Sequence, residues 1–159
     1  MTDEVKQGFI MRISQANKSR LVEIVYDMFL SYTREALAQD AKSESYHRAV
    51  SHARGCLSEL IDSVHRESEA AELAANYYNL YRFAERQLIL ADLRRDPELL
   101  KEPLSIMQRL RDAWAEVAKQ DKSAPLMKNT DVVYAGMTYG PGDVSVDSTA
   151  AGTNRGFYA

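Results

Sequence analysis

Between Gly55 and Pro97 the chain carries neither glycine nor proline. Apolar residues recur through this stretch at three- and four-residue steps, the spacing that lines one face of a helix. The clearest piece is residues 73–100. Leu73, Tyr77, Leu80, Tyr81, Ala84, Leu88 and Ala91 share a face, while Glu85, Gln87, Asp92, Arg94 and Arg95 fall mostly off it. The residue before a proline avoids helical geometry. Asp96-Pro97-Glu98 therefore ends this helix and opens the next, with Asp96 as N-cap and Pro97 at the first helical position.

An uninterrupted helix of about 50 residues is too long for a compact domain. Residues 65–69, His-Arg-Glu-Ser-Glu, are polar all round, and Ser68 can cap a new helix. The expected break lies near 66–70. Before it, a helix runs from Glu44 to His65 with Tyr46, Ala49, Val50, Ala53, Leu57, Leu60, Ile61 and Val64 inward. Gly55 inside it suggests a close approach by a neighbouring helix. Upstream, Asn17 offers an N-cap to a helix ending near Ala38, with Leu21, Ile24, Val25, Met28, Phe29 and Tyr32 as its apolar face. Downstream, Pro97 to Lys119 presents Leu100, Leu104, Met107, Leu110, Trp114 and Val117, and Pro103 displaces or kinks its first turn.

Four helices of about 20 residues, each roughly 30 Å long, with short connections make an all-α, antiparallel up-down four-helix bundle over residues 17–120. Residues 1–16 carry a small apolar cluster, Phe9, Ile10, Met11 and Ile13, read as a cap segment docking on the bundle. After Asp121 the composition shifts: five of seven glycines and two of four prolines fall in the last 39 residues. Val133, Tyr134, Met137 and Tyr139 within this extended tail suit a segment that lies across a surface.

The net charge of −3 argues against nucleic acid, because phosphate binding wants a basic surface. No apolar run approaches the 20 or so residues that span a bilayer, and the first residues lack a secretory pattern. The single cysteine, Cys56, fits a reducing cytoplasm. Glu44-Ser45-Tyr46-His47 matches the Glu-x-x-His element of di-iron bundles. Its looser echo, Asp62 to His65, lies at the other end of the same helix, so the two do not converge. No nucleophile set or phosphate loop is present. The expectation is a non-enzyme without metal or cofactor. Tyr26, Tyr32, Tyr77, Tyr78 and Tyr81, with Met28, suit a groove that accepts an amphipathic segment. Tyr77 and Tyr78 are adjacent and point to different sides, and Tyr78 is the better candidate to meet a partner.

Three segments, Leu21 to Asp27, Asn76 to Ala91 and Leu110 to Trp114, together resemble the flagellar secretion chaperone family FliS. Leu21-Val22-Glu23-Ile24-Val25-Tyr26-Asp27 is similar to the family's Leu-x-x-Met-Leu-Tyr-Asp pattern. Asn76, Leu80-Tyr81, Arg86, Leu88 and Ala91 stand at family positions in the next-to-last helix, and Leu110-Arg111-Asp112-Ala113-Trp114 resembles a Leu-Arg-Asp-Ala-Trp signature. The tail segment Val133 to Gly140 resembles an extension found in some members. Three features depart from the family. Asn17-Lys18 replaces Ser-Pro, Met28-Phe29 replaces a small pair, and Ala70-Ala71 replaces a glycine turn.

The resemblance implies a cytoplasmic, non-catalytic chaperone. It would bind the C-terminal segment of flagellin, prevent premature polymerisation and keep it competent for the flagellar export apparatus. It implies a monomer or weak homodimer, with no membrane insertion. The expected client contacts are Phe9, Ile10 and Ile13 of the cap, Leu21, Val25, Met28 and Tyr32, and Tyr77, Tyr78 and Tyr81. Val133, Tyr134, Met137 and Tyr139 would act as a placeholder for the client. The alternatives are an interaction module with another client or a self-bound tail, and a carboxylate–histidine metalloprotein.

Overall fold

The computed structural model describes residues 1–66 and 71–127, except for the side chains of residues 65 and 66. Among them are five α-helices, one 3₁₀ turn and no strand. The helices are α1, Asp3–Ser14; α2, Lys18–Leu37; α3, Glu44–Arg66; α4, Ala71–Arg94; and α5, Lys101–Gln120. The 3₁₀ turn, Pro97–Leu100, joins α4 to α5.

The starts and stops follow local chemistry. Asn17 Oδ1 accepts from the Arg20 N–H at 2.9 Å and opens α2. Asp96 Oδ1 accepts from the Glu98 N–H at 3.0 Å, with Pro97 at the first position of the turn. The predicted last helix thus begins as 3₁₀, and α5 proper starts at Lys101 with Pro103 buried in its first turn, where no intrahelical N–H is needed. The expected break near 66–70 falls between α3 and α4. Residues 67–70 themselves lie outside the described residues.

Consecutive helices of the bundle run antiparallel. Tyr46 at the start of α3 donates its hydroxyl to the Ala91 carbonyl near the end of α4 at 3.1 Å. The Tyr32 ring packs on His52 at 4.8 Å, and Arg34 of α2 donates to Gln108 of α5 at 2.7 Å. α2 packs chiefly on α3 and α5, and α4 on α3 and the 3₁₀ turn. The core joins Tyr26, Phe29 and Leu30 to Tyr46, Val50, Ala53, Leu57 and Leu60, Tyr81, Ala84 and Leu88, and Leu100 and Met107.

Four expectations about inward faces are corrected. The α2 core face is Tyr26, Phe29, Leu30, Thr33 and Ala36, about a quarter turn from the predicted stripe. Of that stripe only Phe29 belongs to the core cluster. Ile24 is buried on the opposite side of α2 from that face. Val25, Met28 and Tyr32 are half-buried on the flank. With packing on two sides, apolar residues cover most of α2, and spacing alone does not pick the core side. Leu73, predicted inward, is 56% exposed, and Val117 is 49% exposed, with Ala115 and Ala118 buried in its place. Gly55 faces solvent, and a Cβ there would meet nothing within 4 Å.

Candidate functional site

Within the expected cap segment, α1 is a helix. It lies antiparallel on α2, with Arg12 joined to Asp27 at 2.5 Å. Thr2 caps it by accepting from the Val5 N–H. Phe9 and Ile13 are half-buried, with the Arg12 guanidinium 5.6 Å from the Phe9 ring centre. Ile10, expected to meet a client alongside them, is 44% exposed on the outer side of α1.

The remaining candidates divide between two places. Val25, Met28 and Tyr32 line an open groove between α2 and α3, completed by His52, Gly55 and Cys56. Tyr77 and Tyr81 line a separate apolar cleft at the end of the bundle where α4 begins. Leu21 and Tyr78 are half-buried and line neither. The tail candidates Val133, Tyr134, Met137 and Tyr139 lie outside the described residues, as does the Gly136 to Gly142 stretch.

The polar residues of the three sequence segments bind mainly one another. Tyr26 and Tyr81 share a buried hydroxyl–hydroxyl hydrogen bond across the bundle, and Tyr77 packs on Tyr81 at 6.1 Å. Burial pushes the Tyr26 phenol far above its ordinary value and the Tyr81 phenol up to about 12. Arg111 of α5 donates from Nε to Asp27 Oδ1 at 2.7 Å and reaches Glu23 at 3.3 Å. Burial alone would raise the Asp27 carboxyl, but hydrogen bonds and charge from Arg111 and Arg12 outweigh it and hold the carboxyl below its usual value. Trp114 donates its indole N–H to the Ser19 carbonyl at 2.9 Å. These residues register α2, α4 and α5 against each other.

Asn17 carries a role that its capping propensity did not reveal. Its side-chain amide is buried and donates to the carbonyls of Asp121 and Ser123, each at 3.2 Å. The Leu126 N–H donates to the Ala16 carbonyl at 3.0 Å. One asparagine thus opens α2 and ties down the chain leaving α5. Hydrogen bonds from Ser123 and Ser19 pull the Asp121 carboxyl down to about 2.

Glu44 and His47 do not form the pair that a di-iron element requires. His47 Nδ1 instead meets the Asp92 carboxylate at 2.8 Å, bridging α3 and α4. Among the described residues no group of three or more His, Cys, Asp or Glu could hold a metal ion. Cys56 is buried, and burial pushes its thiol up to about 12. No helix among the described residues is long and apolar enough to cross a membrane.

The bundle joins its tyrosines and ion pairs internally and leaves apolar clefts between its helices. The model of the family described as "Flagellar protein FliS" matches residues 1–121, and the chain belongs to that family. The family is one of flagellar export chaperones rather than enzymes. Comparison with curated proteins gives no match.

Proposed function

We propose that this chain is a cytoplasmic export chaperone that binds the C-terminal segment of flagellin. It shields the apolar residues of that segment from premature polymerisation and holds it for the flagellar export apparatus. The observation that carries the reading is the family match over residues 1–121. The surfaces available support it. The α2–α3 groove offers Val25, Met28 and Tyr32, a set with one flexible thioether and one aromatic ring.

The second part of the reading concerns α1. It is short, 12 residues, and packs mainly on α2. Displacing it would enlarge the apolar surface beside Met28 and Val25. A disordered client that folds on this surface gives up chain entropy and gains apolar burial, which predicts a negative heat-capacity change on binding.

The test is isothermal titration of the full chain with a synthetic peptide of the C-terminal flagellin segment at several temperatures. Saturable 1:1 binding with negative heat-capacity change is expected. No association at about 50 μM peptide, a free energy weaker than about −6 kcal/mol, would refute the reading.

A further inference from the structure

At the end of the bundle where α4 begins, Val22, Val64, Leu73, Ala74, Tyr77, Tyr81 and Trp114 line a cleft of about 140 Å³ edged by Ser63. It exists because α4 joins the core late. Residues 71–80 contribute no buried side chain, and the first is Tyr81. Among the described residues, no charged side chain lines the cleft. Three of the polar groups at its edge already have partners inside the protein. The Tyr81 hydroxyl is bonded to Tyr26, the Trp114 indole N–H to the Ser19 carbonyl, and the Ser63 hydroxyl to the Leu60 carbonyl at 2.7 Å. A carboxylate, amine or phosphate entering here would lose water and find little among the described side chains to replace it. An apolar group loses nothing, and the volume is close to that of a dry engineered cavity of about 150 Å³ that takes up benzene.

We propose that this cleft is an anchor pocket for one large apolar side chain, of leucine or phenylalanine size, on the client segment. This specifies the recognition chemistry of the binding function proposed above and rests on it. Leu73, 56% exposed, stands at the rim of the cleft. The pocket recognises size and apolarity, whereas the α2–α3 groove supplies contact length.

Trp114 is the chain's single tryptophan, so its emission reports on the cleft directly. Full-length protein is titrated with benzene, then with the flagellin C-terminal peptide and its single leucine- and phenylalanine-to-alanine variants. Each titration is repeated on Ala74→Phe, which fills the cleft from α4, and on Val64→Phe, which fills it from α3. Circular dichroism identifies the folded variant to be used. Benzene is expected to change Trp114 emission saturably in the unmodified chain and not in the filled one. One peptide position should lose about 10- to 100-fold in affinity on truncation, the range for burying one such side chain. The filled variant should lose as much for the intact peptide and nothing further for that truncation. A linear, unsaturable benzene response, or full peptide affinity in a filled variant, would overturn the proposal. Saturable benzene uptake without any peptide binding would uphold an apolar site and overturn the flagellin reading alone.

Discussion

Asp27 is where three helices meet. It accepts from Arg12 of α1 and from Arg111 of α5, while Arg111 also reaches Glu23 one turn earlier on α2. The side chain of Glu23 is 7% exposed and that of Asp27 17%, so neither carboxylate is well hydrated. Removing Arg111 would leave Arg12 and Arg20 as their remaining cationic partners. Arg111→Met is therefore expected to cost about 1–3 kcal/mol, the penalty for stripping a hydrogen-bonded charge partner from a poorly hydrated group. Urea midpoints at neutral pH measure it. The same pair sets an acid response. The folded-state pKa of Asp27 is depressed, so its stabilisation is complete above the unfolded carboxylate value of about 3.9. It is lost as pH falls through the lower folded value. Asp27→Asn should flatten the stability profile below about pH 4. An unchanged acid limb would show that other carboxylates set it. Asp27 was legible as a motif residue, but nothing in the sequence told that its partners stand on two other helices.

At the scale of elements, Thr2, Asn17, Ser43 and Asp96 each open a helix or turn by a local side-chain cap, whereas the end of α4 departs from the usual residue choice. α4 ends with Arg95 at φ 54, while the Asp96 N–H reaches back to the Ala91 carbonyl at 3.0 Å. This is a left-handed helix terminus of the kind usually filled by glycine. The chain places glycine instead at position 55, inside α3, where the helix gains nothing from it. The two positions call for opposite substitutions with the same expected sign. Arg95→Gly relieves a left-handed side-chain clash and should stabilise by about 1 kcal/mol. Gly55→Ala adds a Cβ in open space and should also stabilise by about 1 kcal/mol. Thermal melts of the two single variants and the double variant check this, with near-additive gains expected because the sites share no partner. A fall in melting temperature for Gly55→Ala would mean that the helix needs the glycine after all. The break between α3 and α4 was legible because a run of polar residues has no apolar stripe to bury. The rotation of α2 was not, because its core side and its α1 side are both apolar.

The whole molecule is unevenly consolidated. α2, α3, the second half of α4 and α5 share one core, while residues 71–80 line its open end without a buried side chain. Local opening free energies follow such differences in burial. In hydrogen exchange on the free chain, amides of residues 75–80 should exchange roughly tenfold or more faster than those of residues 84–91. Addition of the flagellin peptide should narrow the gap as the cleft fills. Uniform protection along α4 in the free chain would contradict this picture.

The sequence by itself determined the helices, most of their ends and the class of fold. Those properties depend on spacing, caps and prolines within a few residues of one another. It also carried the family signature, because Tyr26, Asp27, Tyr81, Arg111 and Trp114 keep their order along the chain. Only the tertiary structure decided what those residues do. They join the helices of the bundle, with Tyr26 on Tyr81 and Asp27 on Arg111, and leave half-buried apolar flanks between helices. Periodicity reports that a residue is apolar at helical spacing. Whether it faces the core, a docking helix such as α1 or an open cleft depends on how neighbouring helices rotate and splay, and many distant contacts set that together.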